Sequence, residues 1–261
     1  MSNLRNRVYI ASFDDNYIEA IKDYELGMEI NITCISEMLD DESEKREKLL
    51  SDISRDIEET GAKRLILHGP FTEIIPAGID RHMREAALVR LNQAYDVCRK
   101  LGIKKMIVHN GWIPFMYFKS WQASEAPKFW EGFMADKPDD FEIAIENVLE
   151  DEPFMLAEMM GRIKDPRIKL CLDIGHANAA CDPEFPVDIW IKILSPYISH
   201  LHLHNNYGGG KDDHASFEEG NLNMEEIFEL FDQYLGDEVT YTVEAHDCIS
   251  CLEWMLERRI I

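Results

Sequence analysis

Leu170-Cys171-Leu172-Asp173-Ile174-Gly175-His176 is an apolar run that ends on a carboxylate, turns at a glycine and presents an imidazole. The same figure, apolar residues closed by an acid or a histidine, recurs on both sides of it. Upstream stand Leu65-Ile66-Leu67-His68, Met106-Ile107-Val108-His109 and Ile143-Ala144-Ile145-Glu146. Downstream stands Tyr241-Thr242-Val243-Glu244, and His202 lies inside the run 200–204. Short apolar runs bounded by turn residues read as buried strands, and the longer charged stretches between them have helical spacing. Strands are expected at 8–12, 27–33, 64–68, 105–109, 141–146, 168–173, 200–204 and 238–244. Helices are expected at 14–24, 42–60, 80–101, 126–135, 153–163, 186–194, 224–235 and 249–259, with Gly61 and Gly102 where C-caps belong. Within 27–33, Met28, Ile30 and Ile32 share one face and Glu29, Asn31 and Thr33 the other.

Strands alternating with helices indicate a parallel sheet with crossover connections. Eight such units in 261 residues are the content of one α/β domain, a single (β/α)8 TIM barrel over residues 1–261. No G-x-G-x-x-G follows the first strand, so no nucleotide cofactor is expected.

Barrel enzymes build their sites at the carboxyl ends of the strands. Closure of the barrel therefore brings His68, His109, Glu146, Asp173, His202 and Glu244 together. Carboxylates and imidazoles crowded into one cavity repel or stay unsatisfied unless a cation sits among them. Mixed oxygen and nitrogen donors suit Zn, Mn or Co and permit Mg, so a divalent metal is the expected cofactor. His176 follows Asp173 by three residues, and Asp212-Asp213-His214 follows Gly208-Gly209-Gly210, whose backbone freedom suits a loop that closes over a ligand. Lys211 in that loop is a candidate contact for a substrate carboxylate or phosphate. After the fourth strand, Trp112, Phe115, Tyr117, Phe118 and Trp121 are dense enough to wall a pocket, with Trp112 as a substrate contact, and to meet a second copy in a homodimer.

Fifty acidic against twenty-seven basic residues give a net charge of -23, which argues against nucleic acid as a partner because phosphate backbones are held by Lys and Arg. No apolar run is long enough to span a membrane, and Met1-Ser2-Asn3-Leu4-Arg5 lacks the apolar core of a secretion signal. The six cysteines are scattered, and Cys248-Ile249-Ser250-Cys251, with no second pair, reads as a helix start. A reduced, cytoplasmic setting is expected.

These residues resemble the xylose-isomerase-like TIM barrel superfamily, which includes sugar isomerases and epimerases as well as endonuclease IV, the AP endonuclease family 2. In the isomerase and epimerase branch the resemblance implies one divalent metal on Glu146, Asp173, His202 and Glu244, with His176 near the reacting carbon. In the endonuclease IV branch it implies three zinc ions: His68 and His109 with Glu146, then Glu146 with Asp173, His202 and Glu244, then His176 with Asp212 and His214. His68-Gly69-Pro70-Phe71 and Cys171-Leu172-Asp173-Ile174-Gly175-His176 are similar to the latter branch. Ala11-Ser12-Phe13-Asp14-Asp15 departs from its glycine-rich DNA contact, and His109-Asn110-Gly111 lacks its proline. The reading favoured is a metal-dependent isomerase or epimerase of a small sugar, sugar phosphate or sugar acid. In it Glu146 and Glu244 remove and return a proton through a metal-bound enediolate, and His176 steadies the oxygen at the reacting carbon. His68, His109, Asp212 and His214 would then be further metal or substrate contacts. The alternatives are an endonuclease-IV-like multi-zinc phosphoesterase, a lyase on the same metal, or a non-catalytic binding module.

Overall fold

The computed structural model describes residues 4–40 and 44–261, so the expected helix start at 42 and the extreme N-terminus lie outside the described residues. Eight parallel strands follow one another around a closed barrel: β1 (Val8–Ala11), β2 (Gly27–Ile30), β3 (Leu65–His68), β4 (Lys105–His109), β5 (Glu142–Glu146), β6 (Ile168–Asp173), β7 (Ile198–Leu203) and β8 (Thr240–Val243). Closure is made by β1 against β8, Val8 opposite Tyr241 and Ile10 opposite Val243.

Helices form the outer ring. In chain order they are α1 (Tyr17–Tyr24), α2 (Glu44–Thr60), α3 (Arg81–Leu101), α4 (Lys119–Met134), α5 (Phe154–Arg162), α6 (Ile174–Ala180), α7 (Val187–Leu194), α8 (Met224–Tyr234) and α9 (Cys248–Glu257). Their starts are set by local chemistry. The side chains of Asp80, Asn223 and Asp247 accept from the backbone N–H of His82, Glu226 and Ser250, supplying partners that a helix N-terminus otherwise lacks. Gly102 ends α3 at φ 71°, a conformation in which a Cβ is strained. Cys248 and Cys251 are buried in the first turn of α9.

Several elements depart from the sequence reading. Strand β2 ends at Ile30, not 33, because Ile32–Cys34 wind into a 3-10 turn that leaves Ile32 39% exposed and off the buried face of Met28 and Ile30. Strand β7 begins at Ile198, not 200. Helix α4 begins at Lys119, not 126, and carries Pro127 in its interior. Proline favours the first helical turn, which draws a sequence-based boundary to it; here the segment before it is already helical. Helix α6 follows β6 directly, where only a turn was expected. The Asp173 carboxylate caps it, accepting from the His176 N–H at 2.7 Å.

The outward faces of the strands, including Ile10, Met28, Leu67, Val108, Ile145, Leu172 and Leu203, pack with the helices in one core. Tyr9, Ile66, Ile107, Ala144 and Cys171 form a separate small cluster inside the barrel. Pairing of β6 with β7 slips by one residue, Leu170 opposite Ile198 but Cys171 opposite His200, with Ser199 left over. No described helix is long and apolar enough to cross a membrane.

Candidate metal centre

Every strand from β3 to β8 delivers a polar side chain to the same end of the barrel, and sheet register sets their neighbours. His109 lies opposite Glu146, and Asp173 opposite His202. Glu146, Asp173 and His202 are fully or almost fully buried, and Glu244 is 4% exposed. His202 Nδ1 stands 3.3 Å from Glu244, 3.4 Å from Glu146 and 3.7 Å from Asp173. None of these contacts has hydrogen-bond geometry, and both His202 ring nitrogens are without a hydrogen-bond partner among the described residues. Donor atoms spaced so, around an imidazole whose nitrogens are unpartnered there, suit a shared cation with mixed oxygen and nitrogen preference.

Two further groups flank this one. His68 Nε2 and His109 Nε2 approach Glu146 Oε2 at 3.2 and 3.4 Å. On the other side Asp212 lies 3.1 Å from His176 Nε2 and 3.3 Å from His214 Nε2, and His176 Nδ1 is 3.1 Å from Glu146 Oε1. Each group offers ligand atoms within 4.8 Å of one another.

Electrostatics agree with the geometry. Burial works against the charged form of Glu146 and Asp173. The imidazoles of His109 and His202 around Glu146, and of His176 and His204 around Asp173, outweigh it and hold both carboxyls below their ordinary range. Burial also disfavours protonated His176 and His214, yet the carboxylates of Asp173 and Asp212 raise both, His214 to about 9. His109, with burial and other imidazoles acting together, is lowered to about 3, and burial raises Glu244. The buried carboxylates thus require cationic neighbours, and a metal ion binding there would displace protons.

The groups open onto a cleft of about 450 Å3 lined by His68, His109, Glu146, His176, Asp212, His214 and Glu244, with Phe13, Phe71 and His246 at its rim. Phe71 stacks on His109 at 4.4 Å. All nine acids and imidazoles expected from the sequence therefore meet around one space. Trp112 is buried and lines an adjoining apolar groove with Phe71, Ile74 and Val148, its indole N–H donating to the Tyr117 carbonyl at 2.9 Å. Phe115 and Phe118 are fully and largely exposed. Lys211 is exposed among three glycines of positive φ, while its neighbours Asp212 and His214 line the cleft.

The sequence reading passed over Glu29 and His204. Glu29 is buried beneath His202, 3.2 Å from its Nε2. His204 stacks on His214 at 3.9 Å, with Nε2 3.1 Å from Asp173. Its signal was present in the alternation His200-Leu201-His202-Leu203-His204, which puts three imidazoles on one face of a strand and its extension.

A family model described as the xylose isomerase-like TIM barrel matches residues 25–248. An uncharacterized protein of Methanocaldococcus jannaschii is 28% identical over 187 residues, 63% of this chain and 59% of that protein, so the match spans somewhat under two thirds of that relative's length. A second from the same organism is 24% identical over 180 residues, 67% of this chain and 69% of that one. Among solved structures, a D-tagatose 3-epimerase-like protein superposes with a TM-score of 0.76 at 20% identity over 97% of each chain. The IOLI protein with a zinc atom gives 0.73 at 12% identity, over 97% of this chain and 98% of that one. An AP endonuclease, family 2, of Brucella melitensis gives 0.70 at 15% identity, over 96% and 98%. At these identities the structural likeness is one of fold. The family match runs through seven of the eight strands and through the acids and imidazoles at their carboxyl ends, and on it the chain belongs to the xylose isomerase-like TIM barrels.

Proposed function

We propose that the protein is a divalent-metal-dependent isomerase or epimerase of a small sugar, sugar phosphate or sugar acid. The observation that carries this is the placement of two buried carboxylates, Glu146 and Glu244, 3.4 and 3.3 Å from His202 Nδ1 and both facing the cleft. Glu146, Asp173, His202 and Glu244 would hold the ion, which when bound supplies Lewis acidity toward a substrate carbonyl and acidifies the adjacent C–H. Glu146 and Glu244 come from β5 and the end of β8 and reach the substrate from different sides. One takes the proton from carbon and the other returns it, through an enediolate of the substrate. His176, held by Asp212 and Glu146, steadies the oxygen on the reacting carbon. Trp112 walls the space for the non-reacting end. Lys211, on its glycine loop, meets a substrate carboxylate or phosphate. Phe115 and Phe118 would join two copies of the chain.

Incubation with aldose–ketose and epimeric ketose pairs in D2O, with Zn, Mn, Co or Mg, tests the proposal. Interconversion with deuterium entering at carbon is expected, and folded Glu244→Gln should lose both. The flanking groups, His68 with His109 and His176 with His204, Asp212 and His214, favour a second reading, a multi-metal phosphoesterase. Hydrolysis of phosphodiesters with no deuterium exchange would establish it instead.

A further inference from the structure

A carboxylate inside a barrel is out of place. These interiors are layers of branched apolar side chains, and an unpaired buried charge costs several kcal/mol. Glu29 on β2 nevertheless points into the barrel, fully buried, beside Ile66 in register. Its Oε2 is tied from below: the Thr242 hydroxyl donates to it at 2.5 Å, and His200 Nε2 is 3.3 Å away. His200 is itself hydrogen-bonded to Thr242 at 2.9 Å and to Thr240 at 2.6 Å, and Lys105 Nζ donates to Thr240 at 3.2 Å. One oxygen of Glu29 is thus anchored in a polar column leading toward the amino end of the barrel. The other, Oε1, has no hydrogen-bond partner among the described residues and lies 3.2 Å from His202 Nε2.

We infer that Glu29 is a positioning residue for His202, taking the Nε2 side of the ring so that Nδ1 presents its lone pair to the point on which Glu146, Asp173 and Glu244 converge. A neutral imidazole carries one N–H, and its surroundings choose which nitrogen bears it. With the proton on Nδ1, the N–H would occupy the point where the ligands converge, and the Nε2 lone pair would face the Glu29 anion. With the proton on Nε2, the N–H faces that anion and Nδ1 is free to ligate. A carboxylate behind a ligating histidine also makes the ring a stronger donor. The inference rests on the metal reading of the four-residue site.

Metal affinity of the full chain, stripped with a chelator and titrated with Zn or Co against a chromophoric competitor, tests it. Glu29→Gln keeps the shape and removes the charge, and should bind the ion about 10- to 100-fold more weakly than wild type. Nitrogen-15 histidine spectra of the metal-loaded wild type should show His202 bound through Nδ1 with the proton on Nε2, a readout that a purely structural glutamate would not move. If Glu29→Gln does not fold, Thr242→Val removes the hydroxyl that anchors Oε2 and should weaken binding several-fold relative to wild type, and unchanged affinity in that variant overturns the inference. Coordination through Nε2, or folded Glu29→Gln with affinity within about twofold of wild type, overturns the inference. Wild type that binds no metal overturns the metal reading and the inference with it, a result seen in the unmodified chain and so distinct from the others.

Discussion

Gly175→Ala looks stabilising on paper, since it replaces glycine in helix α6 and helix propensity alone favours alanine by about 1 kcal/mol. The structure reverses the sign. A Cβ at Gly175 would lie 2.0 Å from His204 Cε1 and 2.3 Å from Nδ1, so the ring must retreat by about 1.4 Å to reach ordinary contact. His204 has no exposed surface, stacks on His214 and holds Asp173 through Nε2, so it has nowhere to go without breaking those contacts. Overpacking of this kind costs about 1–3 kcal/mol, and the lost imidazole–carboxylate contact adds about 1.5 kcal/mol or more. After the propensity gain the net loss is about 1.5–3.5 kcal/mol. For a domain of this size that lowers Tm by roughly 3–14 °C. Asp173 would shift with His204, so metal affinity should fall as well. The assay is thermal unfolding by far-UV circular dichroism of metal-free protein, paired with a competitive metal titration. A Gly175→Ala protein that melts at or above the wild-type temperature and binds metal equally well would refute the reasoning.

Stripping the metal should lower Tm by about 5–10 °C relative to protein held at a hundred times Kd, since binding at that excess stabilises by about 2.7 kcal/mol; identical melts with and without Zn, Mn, Co and Mg would count against a bound ion. On the isomerase reading, elemental analysis after mild dialysis should find one tightly held equivalent, unchanged in His109→Ala. Three equivalents falling to two would favour the phosphoesterase. Hydrogen bonds from Arg167, at 2.5 Å and 2.9 Å, hold the Asp165 carboxyl below its ordinary pKa. A depressed folded-state pKa gives stabilisation that is complete above the unfolded value near 4 and fades as the pH falls through the folded one. Asp165→Asn should therefore lower Tm at neutral pH and converge on wild type in acid; a deficit that stays constant with pH would show that the ion pair is not its source.

Much of the site could be read from the sequence because each strand announces its carboxyl end. A polar residue after an apolar run, as at His68 or Glu146, marks where a buried strand meets the cleft. Glu29 gave no such sign. Alternation tells which residues share a face but not whether the polar face meets water or the inside of a barrel, and Glu29 has the pattern of a solvent-facing residue. Helix α6 was hidden for a different reason. Ile174-Gly175-His176-Ala177-Asn178 has poor intrinsic helix propensity, and the segment is helical because Asp173 caps it and the barrel rim packs it. Trp112 and Phe115 lie three residues apart in a loop, yet one is buried and the other open. Gly111 and Phe115 take positive φ there, and composition does not encode such turns of the backbone.

The leftover residue in β7 decides more than pairing. Ile198 belongs to the outer core, and with strict alternation so would His200 and His202, while Ser199 and Leu201 would fill the barrel. The bulge at Ser199 inverts this parity. Beyond it Leu201 and Leu203 turn out toward the helices, and His200 and His202 turn in toward Glu29 and the cleft. The inward aim of His202 is thus a matter of counting along the backbone, independent of its own chemistry. Excising Ser199 would restore strict alternation with both imidazoles still facing in, whereas straightening the bulge with Ser199 in place would leave every ligand in the sequence yet turn two imidazoles into the hydrophobic shell. For the same reason, an ungapped alignment with a barrel that lacks the extra residue would pair His202 with a residue from the wrong side of that sheet.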